Sequence, residues 1–293
     1  MQQRALELLG RRDFRRLFIA VAVSELGDAF HYIALMWIAL VKGGPLGVVT
    51  VRLADSIPAL AFGFHCGLVA DRWNRKRTMV AADLTRALIL VPVACAAITD
   101  QLPLWGLVVA AFVLETATSY FVPAYSALVP ALVDRENVQE ANGLVSATTN
   151  ALSIGGWTAT AALLAILPIG AFFALNSLSF FLSAAFIAGV GYKGAGHAIT
   201  SEPPLIREAF AALRPLPALA ASVIVLGGAQ TISSGTWIAG VPEMVRSELH
   251  GGAGGYSILM VGYAAGSASF NTSMICSSLN RARFMPACLP GRH

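Results

Sequence analysis

Carboxylates within apolar segments are the residues of this chain with the most informative chemistry. Glu25, Asp28 and His31 recur every three residues, so they share one broad face if the segment is helical. Glu115 lies about as far into another apolar segment as Asp28 lies into the first one. A charge at the centre of a bilayer costs at least about 2.5 kcal/mol on insertion scales, so such residues are expected to have a partner or a role.

Proton or cation recognition is the function that these groups favour, because a carboxyl group removed from water can exchange protons near neutral pH. Asp28 and Glu115 are the leading candidates, and Glu25 comes next. Tyr32 shares the face of Glu25 and Asp28, and Gln230 lies midway along a later apolar segment, so both are further candidates. A structural hydrogen-bond network between helices is the alternative, and the sequence favours it about equally. For His31, a role in such a structural network is favoured over proton recognition.

Two pairs of opposite charge also occur within apolar segments, each at positions i and i+3. On a helix this spacing allows the members of a pair to neutralise each other. We interpret Asp83 and Arg86 as structural support, and Arg52 and Asp55 as a self-contained pair with an outer gate as the alternative. His65 is interpreted as a lone polar residue at a helix end.

The segments that hold these residues are those of a membrane protein. The chain is 56% hydrophobic and 12% charged, whereas soluble proteins carry about 25% charged residues. Repeated apolar windows of about 20 residues match the length that a helix needs to cross a bilayer. The sequence therefore predicts an all-α polytopic membrane protein. Eight spans are predicted, near residues 17–41, 47–69, 78–98, 103–128, 142–167, 170–192, 217–241 and 255–278.

Basic residues indicate the orientation and the domain boundary. Lys and Arg crowd the N-terminus and the loops after spans 2, 4 and 6, whereas the opposite loops carry Lys42 and Arg246. The positive-inside rule therefore predicts a cytoplasmic N-terminus. We predict a six-helix transmembrane bundle at 1–192, a cytoplasmic linker at 193–216 and a partial second bundle with an atypical polar tail at 217–293.

The loop between spans 2 and 3 carries a motif at fixed spacing. Gly67 is expected to allow close approach of a neighbouring element, and basic residues follow it on the cytoplasmic side. The motif comprises Gly67, Asp71, Arg72, Arg75 and Lys76.

This motif resembles the signature of the major facilitator superfamily between helices 2 and 3. Three further stretches resemble its drug and siderophore exporter branch (the macrolide- or enterobactin-type exporters). They are Ser24-x-x-Gly27-Asp28, Ala82-Asp83-x-x-Arg86, and Pro123 to Val133 with the residues that follow it.

The resemblance implies two six-helix bundles that rock around a midplane site. The 67–77 loop would be a gating latch, and helices 1, 4 and 7 would line the cavity. It further implies secondary active, proton-coupled efflux by alternating access from a multi-pass position in the bacterial inner membrane. The expected partners are protons, the lipid bilayer and a bulky amphipathic small molecule. Aromatic residues that suit such a molecule are Tyr32, Trp37, Tyr120 and Trp237.

The sequence departs from the family pattern at two points. Trp157 stands where the family's antiporter signature has the proline of a glycine–proline pair. Twelve helices need roughly 400 residues, so 293 residues suggest a truncated transporter, with a naturally polar helix 8 as the alternative explanation of the tail.

Other functional classes have less support in the sequence. We expect no cofactor, no bound metal, no nucleic acid and no obligate protein partner. An enzyme is disfavoured because the sequence has no His-Glu-x-x-His, Gly-x-Ser-x-Gly or P-loop pattern. A non-transporting fragment with a structural or binding role is the alternative function.

Overall fold

The regular structure of the described residues is entirely helical. The computed structural model describes residues 7–192, 221 and 240–263, without the side chains of residues 60, 64, 68 and 70–72. Residues 240–247 and 253–263 are also helical. The longer elements are α1 (Arg12–Arg72), α2 (Arg75–Ile98), α3 (Leu104–Leu132), a 3-10 turn (Arg135–Asn137), α4 (Val138–Leu163) and α5 (Ala171–Ala188).

The helix α1 consists of two membrane spans joined by a sharp reversal. Its 61 residues would reach about 90 Å as one straight helix, three times the thickness of a bilayer core. Gly44 breaks the helix with φ 61°, a conformation that glycine adopts without a steric penalty. A Cβ on Gly47 would lie 2.5 Å from the carbonyl oxygen of Ala39, so the chain folds back on itself here. We call residues 12–43 the first arm and residues 45–72 the second arm.

The six predicted spans of the first bundle therefore appear as two arms and four helices, with ends within a few residues of those predicted. Within the described part of the chain, four helical stretches are long and apolar enough to cross a membrane: Arg12–Gly63, Arg75–Ile98, Leu104–Leu132 and Ala171–Ala188. For the described residues, the prediction of an all-α polytopic membrane fold is confirmed.

Two apolar clusters fill the bundle, and a polar layer separates them. One cluster packs Ile33 and Met36 of α1 against Phe172 and Phe173 of α5. The other packs Phe14 and other residues near the N-terminus of α1 against residues of α2, α3 and α4. The buried polar residues between them along the helices are Ser24, His31, Asp83, Arg86, Asn176, Ser177, Ser179 and Ser183. The helices thus place polar side chains at mid-depth.

Residues 240–263 pack against the end of the bundle that holds the reversal of α1. Val241, Val245 and Tyr256 belong to the same apolar cluster as Ile33. Arg246 Nη1 donates to the carbonyl oxygen of Leu40 at 3.1 Å. The predicted linker at 193–216 and most of 217–293 lie outside the described residues.

Candidate functional site

The first arm of α1 directs two carboxylates toward α4 and α5. Ser153 Oγ donates to Glu25 Oε1 at 2.6 Å. Asn176 Nδ2 donates to Asp28 Oδ1 at 3.1 Å. Both carboxylates are half-buried. Each therefore has one neutral hydrogen-bond donor from another helix, an arrangement that leaves it able to accept a proton or a cation.

Gly27 brings α1 and α5 together at this point. A Cβ on Gly27 would lie 2.1 Å from Ser179 Oγ and 2.5 Å from Asn176 Oδ1, so any larger residue would push α5 away. The close approach lets the short side chain of Asn176 reach Asp28.

The contribution of α5 was missed in the sequence. Asn176, Ser179 and Ser183 recur at i, i+3 and i+7, which places them on one helix face. This spacing is the signal that could have identified α5 as part of the site.

A buried ion pair lies beside these carboxylates. Arg86 binds Asp83, and Ser183 Oγ donates to the other oxygen of Asp83 at 2.6 Å. The Arg86 guanidinium also lies over two rings, 4.6 Å from the centroid of Phe121 and 4.2 Å from that of Phe180. Arg86 is therefore fixed in place by a carboxylate and two aromatic faces.

Glu115 lies within electrostatic range of both charge pairs. Its carboxyl group is half-buried and interacts electrostatically with Asp28, Arg86 and the Arg52–Asp55 pair. Arg52 and Asp55 form an ion pair with each other on the second arm of α1. The structure thus brings Asp28, Glu115 and Arg86 into one electrostatic group.

Tyr32 lies at the edge of this group and packs on α4. Its ring centroid is 6.3 Å from that of Trp157. Helix α4 continues unbroken through Trp157, and a Cβ on Gly156 would lie 2.5 Å from the Cβ of Ala29. Gln230 and Trp237, the candidates on predicted span 7, lie outside the described residues.

Two histidines have roles in packing and hydrogen bonding. His31 is buried and lies edge-on to Phe173, with ring centroids 5.2 Å apart. The interpretation of His65 as a lone polar residue is wrong, because its Nδ1 is hydrogen-bonded to Tyr120 Oη at 2.9 Å. Among the described residues, no group of three or more His, Cys, Asp or Glu side chains is placed to hold a metal ion.

The motif segment at 67–77, expected to be a loop, is helical except at Trp73 and Asn74, and its basic residues fix its position. Arg75 Nη1 donates to the carbonyl oxygen of Ala127 in α3 at 2.9 Å. Lys76 Nζ donates to that of Val190, just after α5, at 2.7 Å. A cation at a helix C-terminus is stabilised by the helix dipole. No described atom lies within 4 Å of a Cβ built on Gly67, so the close approach expected there is not seen in this part of the structure.

Further contacts lie near the motif segment, at the neighbouring helix ends. The side chains of Asp71 and Arg72 lie outside the described part. Asp13 accepts a hydrogen bond from the backbone N–H of Gly191 at 2.9 Å. At the same end, Arg11 binds Asp134 and holds the pKa of that carboxyl below its usual value.

Comparisons with known proteins agree with this architecture. The sequence matches the family described as Transmembrane secretion effector over residues 5–287. It is 29% identical over 176 residues to the uncharacterized MFS-type transporter YfiS of Bacillus subtilis, covering 59% of this chain and 41% of YfiS. It is 26% identical over 197 residues to Macrolide efflux protein A of Streptococcus pyogenes, covering 67% of this chain and 49% of that protein.

A solved structure of an auto-inhibited POT family peptide transporter shares the fold. The TM-score is 0.55 at 16% identity, and the match covers 87% of this chain and 54% of that one. The chain thus spans less than half the length of the two curated relatives, and about half of the solved transporter.

Proposed function

This chain belongs to the Transmembrane secretion effector family of the major facilitator superfamily, and from that premise we propose that it takes part in proton-coupled export of an amphipathic small molecule. The carboxylates at mid-depth carry the proposal. Asp28 and Glu115 interact electrostatically with each other, and neither forms an ion pair of its own among the described residues. They are therefore the groups best placed to bind a proton or a cationic substrate.

The neighbours of Asp28 support a proton-binding role. Its hydrogen-bond partner is the neutral amide of Asn176, so protonation of Asp28 breaks no ion pair. Asp83, by contrast, is held by Arg86 and Ser183. We assign proton binding to Asp28 and Glu115, with Glu25 next to them, and structural support to Asp83, Arg86, Arg52 and Asp55.

The substrate class is inferred from a relative and from the site. Macrolide efflux protein A of Streptococcus pyogenes aligns with 67% of this chain. Tyr32 and Trp157 add aromatic surface beside the carboxylates, and Gln230 is proposed to face them from span 7. We propose a bulky amphipathic molecule of the macrolide kind as substrate. The siderophore alternative remains a hypothesis based on the sequence motifs.

The motif loop is proposed to act as the latch of alternating access. Arg75 donates to a carbonyl oxygen of α3, and Lys76 donates to that of Val190 after α5. These two cations thus hold the motif segment in place through contacts within the first bundle. Asp71 and Arg72 are left as the motif residues proposed to contact the second bundle, on the side that the positive-inside rule places in the cytoplasm of a bacterial inner membrane.

The first prediction tests the proton site in a chimera. Residues 1–192 of this chain replace the matching part of Macrolide efflux protein A, and inverted vesicles are assayed for macrolide accumulation under a pH gradient. Asp28→Asn is expected to abolish accumulation driven by the gradient, because the amide accepts no proton at neutral pH. Substrate counterflow without a gradient should be retained, and Glu115→Gln should give the same split.

Asp134→Asn is the matched control, because Asp134 is an exposed carboxylate outside the apolar segments. Unchanged pH-driven flux in Asp28→Asn and Glu115→Gln together would refute the proton site. Reconstitution of the 293-residue chain alone, assayed for the same flux, separates transport by this chain from a binding role without transport.

A further inference from the structure

A concave surface lies on the side of the bundle, and Glu25, Asp28 and Glu115 are not among its lining residues. A groove of about 840 Å³ runs between the second arm of α1, α2 and α3. Its volume falls in the range of small-molecule sites, and the described side chains that line it include no Asp or Glu. Apolar side chains form most of its surface, among them Val69, Ala81, Ala82, Phe112, Val113 and Ala117.

The groove opens toward the lipid-facing side of α2. Ala81, Thr85 and Phe112 line it and are exposed. Leu84 and Leu88 lie on the same helix and are also exposed, to 38% and 61%. In a helix that crosses a membrane, exposed leucines face acyl chains rather than water. The groove is therefore open to the hydrocarbon of the bilayer.

The mouth of the groove carries a cation and an aromatic side chain. Trp73, Asn74 and Arg77 line it where α1 passes into α2. Asn74 caps α2 by accepting the backbone N–H of Arg77 at 3.1 Å, which fixes the position of Arg77 at the mouth. Trp73 is 63% exposed, as is typical of tryptophans at the membrane–water interface.

Arg77 differs from its basic neighbours in the contacts that its side chain makes. Arg75 and Lys76 donate to carbonyl oxygens of the bundle. The Arg77 guanidinium has no hydrogen bond or ion pair with another described side chain or carbonyl. Arg77 is exposed, and an exposed guanidinium above an apolar groove is complementary in charge and shape to a phosphate that carries an acyl chain.

We propose that this groove binds one anionic phospholipid of the cytoplasmic leaflet. Its phosphate pairs with Arg77, its glycerol region lies beside Trp73, and one acyl chain occupies the groove down to the His65–Tyr120 hydrogen bond. Basic pockets between transmembrane helices on the cytoplasmic side bind anionic headgroups for this electrostatic reason. A zwitterionic lipid would present the same phosphate to Arg77, but its own ammonium group would offset that attraction, so an anionic lipid is favoured.

Native mass spectrometry of the purified 293-residue chain tests the site. The chain is released from detergent micelles that contain equal amounts of dioleoyl phosphatidylglycerol and dioleoyl phosphatidylcholine. The wild-type chain should retain one phosphatidylglycerol in preference to phosphatidylcholine. Arg77→Gln should weaken that preference about fivefold, the effect of one basic residue near an anionic lipid. Arg135→Gln removes an exposed cation from the same end of the bundle and should leave the preference unchanged.

A second pair of variants tests the groove itself. Ala81→Trp fills it without changing the charge, so it should lower retention of both lipids. Leu88→Trp places the same bulk on α2 outside the groove, so retention should stay as in the wild type. Equal retention of the two lipids by the wild-type chain would overturn the proposal, as would equal effects of Arg77→Gln and Arg135→Gln. Displacement of the retained lipid by a macrolide would do so too, by assigning the groove to substrate.

Discussion

Arg86 is the residue on which the charges of the polar layer converge. It pairs with Asp83 and interacts electrostatically with Asp28 and Glu115. Its contacts with the Phe121 and Phe180 rings restrict its movement, so we infer a static counter-ion rather than a mobile one. A lysine would not reproduce these contacts, because its ammonium is a point charge that does not stack.

The cost of removing Arg86 alone should therefore exceed the cost of removing the whole pair. Arg86→Met leaves Asp83 buried and unpaired, which costs about 3–5 kcal/mol in the free energy of unfolding. Asp83→Leu combined with Arg86→Met should cost much less, because replacing both members of a buried pair by apolar residues is often neutral. Denaturation by sodium dodecyl sulfate in mixed micelles measures both. Arg11→Gln, at the exposed pair with Asp134, is the control and should change little.

At the scale of whole helices, glycines set how closely α1 approaches its neighbours. Gly27 faces α5, and Gly156 of α4 faces Ala29 two positions further along the same arm. The first arm thus contacts two helices through points where a side chain is missing. This close packing, rather than ion pairing, positions Glu25 and Asp28 against Ser153 and Asn176.

Two adjacent glycines in α4 allow a matched test of that packing. A Cβ on Gly156 would meet the Cβ of Ala29 at 2.5 Å, whereas a Cβ on Gly155 would meet no described atom within 4 Å. Gly155→Ala should stabilise the chain by up to about 1 kcal/mol through helix propensity. Gly156→Ala should be less stable than Gly155→Ala by about 1–3 kcal/mol because of overpacking.

Thermal unfolding in detergent gives the order of the two variants. Ala29→Gly in the Gly156→Ala background removes the clash and should recover part of the loss. Equal stability of the two alanine variants would contradict the close approach of α1 and α4.

The sequence predicted the helices well and their contacts poorly, for a physical reason. Apolar runs and the glycines between the first two predicted spans determine where spans begin and end, and these features are local. The partners of Asp28 and Glu25 depend on which faces of α4 and α5 meet α1. The i and i+3 spacing did predict the Asp83–Arg86 contact, because both residues lie on one helix. The link from Asp83 to Ser183 crosses helices and was not predicted.

At the scale of the whole molecule, residues 240–263 contact the first bundle. Tyr256 stacks on Trp37 with centroids 6.5 Å apart, and Ser257 donates to the carbonyl oxygen of Trp157. Arg246 reaches the carbonyl of Leu40 in the last turn of the first arm, where carbonyls lack helical partners. Residues 240–263 therefore cover the end of the bundle opposite the N-terminus.

We expect Arg246 to contribute to that closure as a cation at a helix C-terminus, an interaction worth about 0.3–1 kcal/mol. In Arg246→Gln, amide hydrogen exchange at residues 240–247 and 253–263 should be about two- to fivefold faster, because local opening becomes easier by that free energy. Glu248→Gln removes an exposed charge from the same segment and should leave exchange unchanged. Exchange at residues 75–98 serves as the internal reference. A uniform increase across that reference would indicate general destabilisation, and no increase at 240–263 would remove Arg246 from the closure.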